Sequence, residues 1–239
     1  MTTVQQHYDE LLAPIYVWMV GGLDAAFAAG AADVAPLLTD DGTAIDLGAG
    51  FGMHAIPLAR HGYDVVAIDT SSQLLDVLRA TGADLPIRAV EADLLDFRQH
   101  VTNAASLIVC LGDTLTHLEE LAQIERLCRD VAQSLRSGGR FVATFRDYSR
   151  PLVGNARFIP VRSDDTRIQT CFLEELPRHI LVHDIVHERD SGGWRMRVSS
   201  YRKLRLAPPT LANALRGVGL EPTIEAGSRG MVRVTALKP

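Results

Sequence analysis

Lysine is nearly absent from this chain. Only Lys203 and Lys238 occur among 24 basic residues, so almost every positive charge is an arginine, and the arginines are scattered rather than clustered. With 29 acidic residues the formal net charge is −5. Binding to a phosphate backbone rests on clustered Lys and Arg, so this balance speaks against a nucleic acid as the main partner. Cysteine is also sparse: Cys110, Cys128 and Cys171 are odd in number, widely spaced and without a CxxC pair. That pattern fits neither a disulfide framework nor a zinc site. Cys110 lies inside the apolar run 107–111 and reads as a buried, inert thiol. No segment approaches the roughly 20 unbroken apolar residues that a membrane span needs. Residues 1–10 carry Gln5, Gln6, His7, Asp9 and Glu10, with no basic cluster before an apolar run, which is unlike a secretion leader. The expectation is a soluble, cytoplasmic protein without a membrane partner.

An apolar fraction of 47% over 239 residues is enough to fill the interior of one large domain. Broken helical spacing over the first forty residues, interrupted at Pro14 and at Gly21-Gly22, predicts two or three short helices, a cap over 1–42. From 43 to 145 strands alternate with helices: strands at 44–47, 64–68, 87–90, 106–111 and 139–145, helices near 53–60, 72–80 and 118–135. Such alternation predicts a mostly parallel α/β sheet covered on both faces. The pattern then changes. Residues 155–206 are β-rich with turn signals and no strong helix, and 196–206 alternate as a half-exposed strand does, which predicts a small antiparallel sheet attached to the main one. A last helix near 209–216 and two strands around 221–225 and 231–237, joined by Gly227-Ser228-Arg229-Gly230, end the chain in a hairpin.

The sharpest motif is Asp46-Leu47-Gly48-Ala49-Gly50-Phe51-Gly52, a strand that runs into a glycine turn opening a helix. Glycines permit positive φ and close approach of a ligand, and free N–H groups at a helix start face it. A dinucleotide fingerprint has its third glycine one position later, where Met53 stands. The Asp46 carboxylate at the strand exit would repel a pyrophosphate and could help anchor a cation. Asp69 ends the second strand about twenty residues on, where a carboxylate can accept both hydroxyls of a ribose. Asp93, after the third strand, could accept an exocyclic adenine amine. Asp69 as a cap of the following helix is the lesser reading, since Thr70 or Ser71 could cap it equally well.

Together these residues resemble the class I S-adenosylmethionine-dependent methyltransferases: residues 46–52 their first motif, Asp69 their ribose-binding acid, Asp93-Leu94 their adenine-binding pair, and the closing hairpin their antiparallel last strand. The resemblance implies a doubly wound seven-stranded sheet, with a methyltransferase domain over 43–239. It also implies S-adenosylmethionine as cofactor, held by Asp46, Gly48, Ala49, Gly50, Asp69, Thr70, Asp93, Leu94 and Leu111. In similar enzymes an N-terminal lid closes on the methionine end of the cofactor, which implies Tyr16 there and Tyr8 and Trp18 toward the acceptor.

The turn after the fourth strand, Cys110-Leu111-Gly112-Asp113-Thr114 with His117-Leu118 following, lacks the Pro-Pro-aromatic signature of enzymes that hold a flipped base. It is similar to the Cys-Leu-Gly-Asn-Ser turn of glycine N-methyltransferase-like enzymes, with Asp113 in place of Asn. The expected reaction is methyl transfer to N or O of a small-molecule acceptor, governed mainly by in-line positioning. If a base is needed, Asp113, His117 and Tyr148 are the candidates, while Arg146 and His183 are expected at the acceptor. A helix cap for Asp113, a surface position for His117 and a solvated loop for Arg146 stay open. His179, His183 and His187 share a strand face, yet Leu181 and Ile185 lie between them and no cysteine completes a site, so no metal is expected. Two other readings remain, a nicotinamide-dependent oxidoreductase and a non-catalytic cofactor-binding module, and a homo-oligomer is possible in any of them.

Overall fold

The computed structural model describes residues 3–38 and 42–239; residues 1, 2 and 39–41 of the expected cap lie outside them. Five apolar runs form parallel strands: β1 (Gly42–Leu47), β2 (Tyr63–Asp69), β3 (Ile87–Glu91), β4 (Ala105–Cys110) and β5 (Leu135–Phe145). Every residue of β4 is buried, as a central parallel strand covered on both faces requires. A second sheet holds β6 (Phe158–Ser163), β7 (Arg167–Glu175), β8 (His179–Asp190) and β9 (Gly193–Leu204), all antiparallel. The chain closes with β10 (Glu221–Ala226) and β11 (Val232–Leu237), and β11 runs antiparallel to β5. The main sheet has seven strands in the order β10-β11-β5-β4-β1-β2-β3. The chain winds outward from β1 to β3 and then returns to β4 on the other side of β1, so the carboxyl ends of β1 and β4 part and open a crevice.

Helices cover both faces. On one face α4 (Ala55–Arg60) and α5 (Ser72–Thr81) pack against the sheet through Ile56, Leu58, Leu74, Leu75 and Leu78. On the other lie α6 (Leu121–Ser134) and α7 (Pro208–Gly217). In α6 the buried residues Ile124, Leu127, Cys128 and Val131 recur at helical spacing. This helix starts three residues later than the spacing from Leu118 predicts. Leu118 is extended, ending a 3₁₀ turn over Thr114–His117, and Glu120 with Gln123 forms the helix's capping box. His117 therefore sits in a turn at the sheet's carboxyl edge rather than on a helix.

The cap runs from α1 (Val4–His7) through a π-type turn at Tyr8–Leu12 and a 3₁₀ turn at Ala13–Ile15 into α2 (Tyr16–Met19), followed by α3 (Leu23–Val34). No single helix among the described residues is long and apolar enough to cross a membrane. At Gly30, α3 meets the backbone of Met53, just past the glycine turn, and a Cβ there would lie 1.8 Å from the Met53 carbonyl oxygen. Gly30→Ala must therefore push α3 off that segment. The expected loss is about 1–3 kcal/mol or more in unfolding free energy, measured by urea titration.

The insert forms a sheet of its own, with no ladder to the main sheet, so it is attached by packing and not by strand pairing. In β8 the buried residues are Ile180, Val182, Asp184 and Val186, which turns His179, His183 and His187 to the opposite face. The alternation over β9 does mark a half-exposed strand, but Met196 and Val198 overhang in solvent, 61% and 50% exposed, while the inward positions nearer its end are Tyr201 and Lys203.

Candidate active site

The carboxyl ends of β1 to β4 and the cap enclose a cavity of about 330 Å³, within the range of small-molecule sites. Its floor is the turn Gly48-Ala49-Gly50-Phe51, where the N–H groups of Gly48 and Ala49 both donate to the Ile68 carbonyl, at 2.8 and 3.0 Å. Gly48 has φ +77°, and a Cβ on it would lie 2.3 Å from Thr114 Cγ2. That close approach brings the turns after β1 and β4 together around the crevice. Asp69 is tied into the floor: Oδ2 accepts the Gly50 N–H and Oδ1 the Ser71 N–H, each at 2.8 Å. Each oxygen keeps a lone pair for a ligand. Burial still leaves the Asp69 carboxyl above its ordinary value, because these N–H bonds offset the desolvation only in part. Asp93 caps the following 3₁₀ segment through Oδ1, which accepts the Leu95 N–H at 2.7 Å, and it lines the cavity.

The roof comes from the cap and the turn after β4. Tyr8 and Tyr16 stack at 5.9 Å, and Tyr8 meets the His117 ring edge-on at 5.7 Å. Burial raises both phenols, Tyr16 to about 12, so they remain protonated donors. His117 Nε2 is buried and has no hydrogen-bond partner among the described residues. Burial, then the Lys203 ammonium, push this imidazole down to about 3, so it is neutral at neutral pH.

Of the residues singled out in the sequence, Tyr8, Tyr16, Gly48, Ala49, Gly50, Asp69, Thr70, Asp93, Leu94, Leu111 and His117 line this cavity. Six do not. Asp46 lies 1% exposed beneath the turn, where the Ala55 N–H gives it partial support but neither oxygen makes a full hydrogen bond among the described residues. It can act on a ligand only through its field, since the strand exit turns its side chain into the core. Asp113 sits one layer behind the wall in a left-handed conformation, φ +75°, accepting from the Arg146 N–H at 3.0 Å, from Thr116 Oγ1 and from Lys203. Arg146 is thus engaged through its backbone. Tyr148 is buried with Leu173, Ile180, Val182 and Tyr201, and its phenol is raised by burial. Trp18 donates to Asp164 and is flanked by Arg162 and Arg167, which pins the cap to the insert instead of reaching the cavity. His183 faces the outer side of the small sheet, between Ser200 and Glu174.

Sequence reasoning missed the side chains that build the layer behind the roof, His7, Asp184, Ser199, Tyr201 and Lys203. His7, fully buried, contacts Ser199 Oγ at 2.8 Å and Asp184 Oδ2 at 2.9 Å, and its ring packs 4.3 Å from that of Tyr201. Tyr201 in turn meets His117 edge-on at 5.5 Å. Lys203 reaches Asp113 from the same strand. The available signal was the phase of β9, where Tyr201 and Lys203 alternate against Met196 and Val198.

The fit to an adenosyl sulfonium rests on the acids around the glycine turn. Asp46 and Asp69 supply buried negative charge under the turn, Asp93 lines the cavity, and so does Gly112, φ +74°, with open space where a Cβ would stand. Burial, then the Asp69 charge, hold Asp46 up to about 6 against a partial opposing effect of His54. A carboxyl raised in the fold contributes stability below its unfolded value and loses it as pH rises toward 6. Between pH 4 and 7 the protein should therefore lose about 3 kcal/mol from this group. Chemical denaturation of Asp46→Asn across that range should show a correspondingly flatter profile.

Residues 44–139 match the family model described as a methyltransferase domain. The chain is 27% identical over 114 residues to a glycine/sarcosine N-methyltransferase of Parasynechococcus marenigrum, an alignment covering 47% of this chain and 40% of that protein. It therefore spans about two fifths of the length of that relative. Among solved structures, the CcbJ methyltransferase from Streptomyces caelestis superposes with a TM-score of 0.78 at 24% identity, covering 97% of both chains. CalS10 of Micromonospora echinaspora, an amino pentose methyltransferase solved with S-adenosylmethionine bound, gives 0.76 at 16% identity over 95% of this chain and 96% of its own. Residues 44–139 are thus similar to a methyltransferase domain, and the chain has, over nearly its whole length, the fold of the two solved methyltransferases.

Proposed function

We propose that this protein is an S-adenosylmethionine-dependent methyltransferase acting on a nitrogen of a small acceptor. The observation that carries the reading is one cavity lined by Asp69 and Asp93 at its nucleoside end and by uncharged Tyr8, Tyr16 and His117 at the other. When bound, S-adenosylmethionine supplies an electrophilic methyl group carried on a sulfonium. Asp69 would accept the ribose hydroxyls with its remaining lone pairs, Asp93 the adenine amine, and the field of Asp46 would favour the positive charge. The cap excludes water over Tyr8 and Tyr16. His117, in the tautomer protonated on Nδ1, offers Nε2 as acceptor for an N–H of the incoming amine. An imidazole held this low takes up no proton at neutral pH, so the amine would have to enter as its free base, its proton given up to solvent beforehand, and His117 would orient its lone pair. Nitrogen is favoured over oxygen by the relatives named above, a glycine/sarcosine and an amino pentose methyltransferase. A nicotinamide dinucleotide would place its pyrophosphate over Asp46 and Asp69, where like charge opposes it.

Calorimetric titration with S-adenosylhomocysteine and, separately, with NADH tests the cofactor. Binding of the first alone is expected, followed by S-adenosylhomocysteine release on a panel of small amines. Binding of NADH alone would overturn the reading.

A further inference from the structure

A buried ion pair lies directly behind the cavity wall. Lys203, near the end of β9, contacts Asp113, whose side chain also accepts the Arg146 N–H and the Thr116 hydroxyl; the two side chains are 10% and 6% exposed. Burial alone would raise the Asp113 carboxyl, but the Lys203 ammonium reverses this and holds it below its ordinary value. Such a pair is a poor device for stability, because two well-packed apolar side chains would serve as well without the desolvation cost. Its position suggests another use. Asp113 opens the turn Thr114–His117, and the Lys203 ammonium lies 5.8 Å from the Tyr201 ring, the same ring that meets His117 at 5.5 Å. The pair thus joins the insert to the turn that forms the cavity wall.

We propose that Lys203 is a positioning residue of this site: pinned by Asp113, it ties β9 to the turn carrying His117 and sets a fixed positive charge behind that imidazole at the cavity wall. The inference rests on the methyltransferase reading only for its purpose, since a protonated His117 would set a second cation beside a sulfonium and remove the lone pair at Nε2. The groups facing His117 are Tyr8 and His7 from the cap, Asp113 from its own turn, Asp184 from β8, and Tyr201 and Lys203 from β9. Asp113 and Asp184 favour the charged imidazole, while His7 and Lys203 oppose it together with burial.

The test is NMR of the full-length protein carrying labelled histidine, with His117 assigned by its loss in His117→Gln, and it needs neither cofactor nor turnover. The wild-type imidazole is expected to stay neutral from pH 9 down to about pH 4, where a displaced one would be substantially protonated. Lys203→Gln, whose amide can still donate to Asp113, should move the titration of His117 upward by about one pH unit or more. Lys203→Arg should leave it in place, and Lys203→Gln combined with Asp113→Asn should return it toward the wild type, since both charges are then gone. A protonated wild-type His117 in that range would overturn the proposal whatever the variants do. So would a folded Lys203→Gln with no displacement, or a double variant displaced as far as the single one. Failure of S-adenosylhomocysteine to bind would leave these titrations unchanged and would count against the cofactor assignment alone.

Discussion

Asp113→Ala is expected to lower the unfolding free energy by about 3–5 kcal/mol, the cost of leaving the Lys203 ammonium buried without its counterion. The carboxylate meets three donors, from Lys203, Arg146 and Thr116; its removal strands the first two, while the Thr116 hydroxyl keeps the Asp113 backbone carbonyl at 2.8 Å. The Arg146 N–H can find water or relax locally; the ammonium, on a side chain only 10% exposed, loses its counterion. Denaturant titration at pH 7 measures the loss. The compensating test is Asp113→Ala with Lys203→Met, which removes both charges and should recover most of the stability. If the double variant were as unstable as the single one, the turn's left-handed backbone at Asp113, and not the ion pair, would be carrying the energy.

Asp69→Ala should weaken binding of S-adenosylhomocysteine by about 1–3 kcal/mol, or roughly 5- to 150-fold, through loss of charge-assisted hydrogen bonds. Two contributions add here. The carboxylate is the acceptor that a pair of ribose hydroxyls needs, and it also holds the glycine turn in place through the Gly50 and Ser71 N–H groups. Asp69→Asn separates them, since an amide oxygen can still accept one N–H but carries no charge. Calorimetry on both variants, with circular dichroism to establish folding, reads the two parts. Unchanged affinity in a folded Asp69→Ala would remove this residue from the cofactor site.

The periodic apolar runs between glycine turns were enough to read the parallel strands, because burial on both faces demands unbroken apolar sequence. The glycine spacing at 48, 50 and 52, and the acids after successive strands, were legible for a related reason: local backbone geometry and strand ends fix where those groups point. Each of Gly48, Gly50, Asp69 and Asp93 lies within a few residues of a strand end, so position in the sequence is nearly position in the site.

The layer behind the cavity is different in kind. His7 and Asp184 are separated by 177 residues, and Asp113 and Lys203 by 90, and each pair meets only because the cap and the insert fold against one another. No spacing rule links such residues. Asp46, Trp18 and His183 went astray for the same reason, since each has the right chemistry but a side-chain direction set by packing. Sequence alone determined the sheet, the glycine turn and the acids at the strand ends, because backbone sterics and hydrophobic periodicity act over a few residues. Tertiary structure alone decided which ionisable groups share a buried space, and therefore which imidazole is neutral and which carboxylate is paired, because desolvation and Coulomb interactions depend on distance through space and not along the chain.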